Sequence, residues 1–238
     1  NLLVNVATRW PHLGRTLHSM TNTTAPATHT TDSATVDPRE LFARAAAATR
    51  GLLAGLTPAD HGRPTPCNDM NVAELGSHLL MVLERVVALG NGTDAMTLPD
   101  TSGVPEAGWT AAWDEAYSRA EAAWGDDAKL DQPMFLPWVQ GPGSQLLIGY
   151  VAELAVHTWD LGRALDVAVA WDDDVVDAAW ASYRAIFPTA DRTERFAAAR
   201  AAMPPEFRDN PPPFGNAVEI ADDAPLIERV VAWTGRRV

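Results

Sequence analysis

The side chains best suited to chemistry are Glu153 and His157, which lie four positions apart within residues 149–160. On an α-helix, residues four apart project from the same face, so a carboxylate and an imidazole at this spacing can bind one ion. His78 lies upstream among apolar residues with helical spacing, which directs its side chain inward. A buried carboxylate needs a partner, and a divalent cation shared with two imidazoles is such a partner. The spacing predicts a metal site of His78, Glu153 and His157, with two packed core histidines as the alternative.

The other histidines lie in segments less suited to a site. His12, His18 and His29 belong to a polar leader segment, and His61 lies in a loop. His78 and His157 are therefore the two histidines within strongly helical patterns, which favours their use in one site.

The number of ligands indicates what such an ion could do. Three protein ligands leave at least one coordination position open, as in catalytic rather than structural metal sites. The ion could then polarise a carbonyl or lower the pKa of a bound water. Two imidazoles and a carboxylate suit zinc, nickel or ferrous iron, and of these we expect zinc. Asp160, one turn beyond His157, is a candidate catalytic general base or acceptor for His157, with a solvated carboxylate as the alternative.

Apolar residues with helical period, bounded by capping residues, predict the helices that must position these side chains. Asp37-Pro-Arg-Glu has the pattern of an N-cap, a proline in the first turn and a capping box. Residues 129–143 contain three prolines and are predicted to be a long loop. The first four predicted helices run from Asp37 to near Gly55, from Asn71 to Gly90, from after Pro105 to Gly125, and from a Ser144 cap to Leu165.

Further helices are predicted beyond residue 165. One begins at Asp172 and continues through Phe187, another covers 192–202, and a terminal helix begins at Pro225. Residues 204–214 read as a proline-rich loop, and 217–220 as one short strand. The predicted fold class is thus mainly all-α. Residues 37–238 are expected to form one domain because no repeat or clean linker interrupts them.

The charge of the chain excludes one class of partner. The formal net charge is −13; residues 1–36 contribute net +1 from two arginines and one aspartate, which leaves −14 for residues 37–238. Nucleic acid is therefore not an expected partner, since binding to phosphate backbones needs patches of lysine and arginine. The acidic surface is interpreted as an aid to solubility.

Cys67 is the only cysteine, which excludes an intramolecular disulfide and fits a reducing cytoplasm. It is interpreted as a small buried apolar residue and left out of the site, with a nucleophile or a thiol near the metal as the alternative. Residues 1–36 are predicted to be a flexible leader, and residues 1–19, which precede the first methionine, could be non-native. Without a long apolar run or a signal sequence, we expect a soluble cytoplasmic protein with no membrane partner.

Three spaced segments resemble a known family. Residues 63–79, residues 153–164 and residues 222–236 are similar to actinobacterial metal-binding proteins of the DinB-like superfamily, a group that includes mycothiol-dependent maleylpyruvate isomerase. The resemblance implies a DinB-like four-helix bundle with additional C-terminal helices. It also implies that His78, Glu153 and His157 are the metal ligands and that a low-molecular-weight thiol is held at the metal as thiolate.

These observations lead to one main hypothesis and two alternatives. The main hypothesis is a metal-dependent enzyme of the thiol-transferase or isomerase kind that acts on a small-molecule substrate. The first alternative is a non-catalytic metal-binding or small-ligand-binding protein. The second is a ferrous-iron oxygenase with the same three ligands, which a redox-inert zinc site would exclude.

Overall fold

The structure is a computed structural model that describes residues 36–67, 70–136, 139–187, 192, 194, 197 and 214–238. Its α-helices, numbered here in chain order, are α1 (Pro38–Leu53), α2 (Val72–Gly90), α3 (Trp109–Ala123), α4 (Ala128–Asp131), α5 (Gly143–Leu165), α6 (Asp173–Ile186) and α7 (Leu226–Trp233). A 3-10 helix covers Ala95–Thr97, and a two-stranded sheet contains β1 (Pro133–Leu136) and β2 (Val139–Pro142).

The main core lies within a ring of four helices. In this ring α5 packs against α1 and α2, while α3 packs against α2 and α1. Helix α6 packs against α5 and, less extensively, against α1, and α7 contacts both α6 and α5. The predicted class, a mainly α-helical fold, is confirmed.

Local sequence explains where the helices begin. Asn71 caps α2 in a complete capping box, because its side chain accepts from the backbone N–H of Glu74 and the Glu74 side chain accepts from that of Asn71. Asp172, where a helix was predicted to begin, caps α6 by accepting from the backbone N–H of Val175. At α1, Asp37 is the N-cap, but the predicted capping box is wrong because Glu40 pairs with Arg44, one turn further on.

The segment predicted to be a long loop, residues 129–143, contains regular secondary structure in its described part, 129–136 and 139–143. It contains the end of α4 and an antiparallel hairpin in which Pro133 pairs with Pro142 and Leu136 with Val139. Helix α5 follows the second strand directly, with Pro142 as its N-cap, so the predicted Ser144 cap is wrong. Gly143 permits this junction, since a Cβ there would lie 2.1 Å from the Lys129 carbonyl oxygen. The backbone N–H of Gly143 also donates to the Gln132 carbonyl at 2.9 Å.

The short strand predicted over 217–220 is wrong, because these residues have irregular backbone. Val218 donates one backbone hydrogen bond to the Ala232 carbonyl near the end of α7, at 2.9 Å, and a strand needs a partner strand.

Several predictions fall outside the described residues. The leader 1–36 does so except for Val36, as do most of the predicted helix over 192–202 and the loop 204–214 apart from Phe214. The proposed domain limits therefore stay predictions. Among the helices that the structure describes, none is both long and apolar enough to cross a membrane.

Candidate metal centre

Helices α2 and α5 bring the three predicted ligands together. His78 lies in the second turn of α2, and Glu153 and His157 lie on successive turns in the middle of α5. One potential ligand atom from each side chain lies within 4.8 Å of the others. His78 Nε2 is 3.5 Å from Glu153 Oε1, and the two imidazole rings meet edge to face with centroids 5.0 Å apart. The arrangement is compact enough for one ion to contact all three side chains.

Each imidazole is oriented through its Nδ1 atom. His78 Nδ1 lies 3.0 Å from the carbonyl oxygen of Asp100, and because a carbonyl can only accept, Nδ1 carries the proton. His157 Nδ1 lies 3.1 Å from Asp160 Oδ2. Hydrogen bonds of this kind fix the tautomer and ring orientation of metal-binding histidines. They leave the lone pair of Nε2 on each ring available to coordinate an ion.

Burial and charge adjust the ionisation of the three groups. Burial pushes the pKa of Glu153 upward, but contact with His78, together with the charges of His157 and Arg85, outweighs burial and the pKa is lowered. For His157, burial lowers the pKa, and the hydrogen bond to Asp160 offsets this lowering only in part. For His78 burial lowers the pKa, but Glu153 outweighs it and the pKa is raised. Near neutral pH, Glu153 is therefore a carboxylate and His157 a neutral imidazole, the forms that bind a cation.

The centre reaches solvent on the Glu153 side. The Glu153 side chain is 28% exposed, whereas those of His78 and His157 are 10% and 12% exposed. An open coordination position beside Glu153 would therefore be the one that a small molecule can approach.

Asp160 is fully buried, so the alternative of a solvated carboxylate is wrong. Both of its oxygens accept from Arg236, Oδ1 from Nε at 2.7 Å and Oδ2 from Nη2 at 2.7 Å. Burial raises the pKa of Asp160, but His157 and Arg236 outweigh burial and the pKa is lowered. A charged Asp160 thus orients His157, while the role of catalytic general base stays a prediction.

Cys67 forms a second cluster with His157 and Asp160, in which one potential ligand atom of each lies within 4.8 Å of the others. This cluster is poorly suited to a metal, because Arg236 occupies both Asp160 oxygens and its positive charge repels a cation. Burial, with a contribution from Asp160, raises the pKa of the Cys67 thiol to about 11. The cysteine lies next to the centre but is held as a thiol.

Alkylation of Cys67 should therefore be slow in the folded protein. With a pKa of about 11, roughly one thiol in a thousand is ionised at pH 8, against roughly one in four for an unperturbed cysteine. We expect iodoacetamide at pH 8 to modify the native protein roughly a hundredfold more slowly than the urea-unfolded chain, measured by intact mass. Because Cys67 is the only cysteine, the mass change is unambiguous. Native and unfolded rates within fivefold of each other would contradict the raised pKa of this half-buried thiol.

Two groups at the centre were not identified from the sequence. Arg236 lies 76 positions after Asp160, within a C-terminal segment noted only for its resemblance to a family. The Asp100 group that holds His78 is a backbone carbonyl, which has no sequence signal. An arginine next to a glycine at the end of an apolar helix was the one available hint for Arg236.

Comparison with known proteins agrees with this architecture. The family model of the mycothiol maleylpyruvate isomerase N-terminal domain matches residues 42–162, about half of the chain, and this range includes His78, Glu153 and His157. The chain belongs to this family, as its sequence motifs predicted.

Individual relatives extend the comparison over more of the chain. Two uncharacterised proteins, from two strains of Mycobacterium tuberculosis, are each 27% identical over 204 residues, which is 85% of this chain and 100% of each relative. The crystal structure of the mycothiol-dependent maleylpyruvate isomerase aligns with a TM-score of 0.52 and 16% identity, covering 64% of this chain and 68% of that one. At this identity the structural match shows the shared fold alone.

Proposed function

We propose that this protein is a metal-dependent enzyme that acts on a small molecule with the help of a low-molecular-weight thiol, in an isomerase or thiol-transferase reaction. The observation that carries the proposal is the convergence of His78, Glu153 and His157. The Nδ1 atoms of the two histidines are hydrogen-bonded to Asp100 and Asp160, so each Nε2 is unprotonated and available to an ion when its ring is neutral. The donor set fits a divalent ion, since two imidazole Nε2 atoms and one carboxylate match the ligands of catalytic zinc sites. Zinc is the proposed ion, with nickel and ferrous iron as alternatives.

Some residues of the centre would bind the ion, and others hold the two histidines in position. A divalent ion bound here would supply Lewis acidity, holding a thiol as thiolate or polarising a substrate carbonyl. Glu153 would offset part of the cation's charge, and it lies on the side from which a substrate can approach. Asp160 and Arg236 keep His157 in one orientation, and the Asp100 carbonyl does the same for His78. The fixed imidazoles would keep the open position in a constant geometry.

Membership of the family suggests the first cofactor and substrate to test. A relative with the same fold is described as a mycothiol-dependent maleylpyruvate isomerase, so mycothiol and maleylpyruvate are reasonable probes. A thiol cofactor of this kind would place the activity in the cytoplasm.

Turnover should require both the metal and the thiol. We expect the zinc-loaded protein to convert maleylpyruvate, or another unsaturated carbonyl compound, only when mycothiol is added. Glu153→Gln should abolish this rate, because the amide lacks the charge that offsets the cation. Arg50→Met is the matched control, since Arg50 pairs with Asp114 on the surface between α1 and α3.

The alternatives predict different results in the same assay. A zinc-loaded protein that binds mycothiol but turns over none of these compounds would favour a non-catalytic binding protein. Turnover that needs ferrous iron and oxygen would favour an oxygenase.

A further inference from the structure

Residues 99–103 form a strap across α2, next to His78. Ser77 Oγ accepts from the backbone N–H groups of Ser102 at 2.6 Å and Gly103 at 2.7 Å. Arg85 Nη2 donates to the Pro99 carbonyl at 3.2 Å and to Asp100 Oδ1 at 2.6 Å. The strap is therefore attached to α2 at both of its ends.

The Asp100 carbonyl that accepts from His78 lies between these two attachments. Ser77 precedes His78 on α2, and Arg85 follows it by seven residues, which is two helical turns and the same face. One helix thus carries the imidazole and both groups that hold the acceptor of that imidazole. The position of the carbonyl relative to the ring depends on these side chains rather than on a regular secondary structure.

Arg85 is the more buried member of the Arg85–Asp100 pair. Its side chain is 11% exposed, whereas that of Asp100 is 72% exposed. Arg85 Nε is buried and has no hydrogen-bond partner within the described part of the chain. A buried donor without a partner is destabilising, so its presence calls for an explanation. Holding the strap over His78 supplies one, because Nη2 reaches both Pro99 and Asp100 from this position.

We propose that Arg85 is a positioning residue for His78. By holding the strap, Arg85 keeps the Asp100 carbonyl against Nδ1 and so maintains the tautomer that leaves Nε2 free. The consequence for metal binding rests on the proposed function, whereas the effect on the tautomer does not. Groups that orient a metal-binding histidine typically contribute 10- to 100-fold to metal affinity.

The test uses two measurements on the full chain. The first is the tautomer and the Nδ1–H exchange rate of His78 in metal-free protein labelled with ¹⁵N-histidine, at a pH where the ring is neutral. The second is the zinc affinity measured by competition with a chromophoric chelator. The variants are Arg85→Met, which keeps the aliphatic stem, and the conservative Arg85→Lys. Arg50→Met is the control, because it removes an exposed arginine whose carboxylate partner lies on α3.

We expect wild type and Arg50→Met to show a single Nδ1–H tautomer with slow exchange. Arg85→Met should show mixed tautomers, faster exchange and zinc binding weaker by roughly 10- to 100-fold. Arg85→Lys should restore part of both properties, since an ammonium can still donate to the strap. If Arg85→Met does not fold, Ser77→Ala provides the same test from the other end of the strap.

The two proposals fail in different ways. Unchanged tautomer and exchange in Arg85→Met would overturn the positioning role even if zinc binds. If the wild type binds no zinc while Arg85→Met still alters the tautomer, the positioning role stands and the proposed metal centre fails.

Discussion

Replacing His78 with alanine should remove a divalent ion from the purified protein. We expect about one ion per chain in wild type prepared without chelator or nickel resin, and close to none in His78→Ala and Glu153→Ala, by elemental analysis. Each substitution removes one of the three proposed ligands, which have potential ligand atoms within 4.8 Å of one another. If a ligand carries about a third of the binding free energy of such a site, its loss should weaken affinity by roughly a few hundredfold to several thousandfold.

His61→Ala is the matched control for this experiment. His61 Nε2 accepts from Trp109 Nε1 at 3.2 Å and belongs to neither candidate metal cluster, so the ion should stay. Thermal unfolding separates two roles of the ion: a catalytic ion should leave the fold of His78→Ala intact, whereas a structural ion should not. A wild type that contains no metal and takes none up would reduce the site to two packed histidines.

Replacing Arg236 with methionine should destabilise the protein by about 3–5 kcal/mol. Methionine keeps much of the side-chain volume but leaves the fully buried Asp160 carboxylate without its cationic partner. Desolvation of an unpaired charge is far more costly than the loss of a surface ion pair. For a chain of this length the change corresponds to a fall in Tm of about 10 °C. Urea denaturation monitored by tryptophan fluorescence measures the free energy directly.

Two further variants test the cause of this loss. Arg50→Met breaks the exposed Arg50–Asp114 pair and should change the free energy of unfolding by less than about 1 kcal/mol. Combining Arg236→Met with Asp160→Leu should recover a large part of the stability, because the buried charge is then absent. If Arg236→Met were no more destabilising than Arg50→Met, the buried pair would not stabilise the fold as argued.

The stability of this pair also bears on the metal centre. Asp160 accepts from His157 Nδ1 and from Arg236, so loss of the arginine should disturb the orientation of His157 as well as the core. A weaker zinc affinity in Arg236→Met would therefore accompany its lower stability, whereas Arg50→Met should change neither property.

The sequence by itself determined the helices that carry the ligands. The Asn71 and Glu74 capping box and the apolar stripe of α2 are local signals, and α5 has a similar stripe. Because helical geometry then places Glu153 and His157 on one face, the i, i+4 spacing was enough to propose them as a pair. His78 was added to this pair because it lies on the inward face of another helix and because of a family resemblance. In the structure the three side chains lie close together.

The tertiary structure alone decided how these side chains are supported. Asp160 can be buried as a charge only because Arg236, far along the chain, pairs with it, and no local pattern encodes that pairing. The Asp100 carbonyl belongs to an irregular segment that Arg85 and Ser77 bind through hydrogen bonds from α2. The hairpin of β1 and β2 is equally non-local, since its prolines suggested a loop and its pairing is visible only once the strands meet. Helical spacing is written in the sequence because it arises from neighbouring residues, whereas partners for buried charges and backbone groups arise only when distant segments pack.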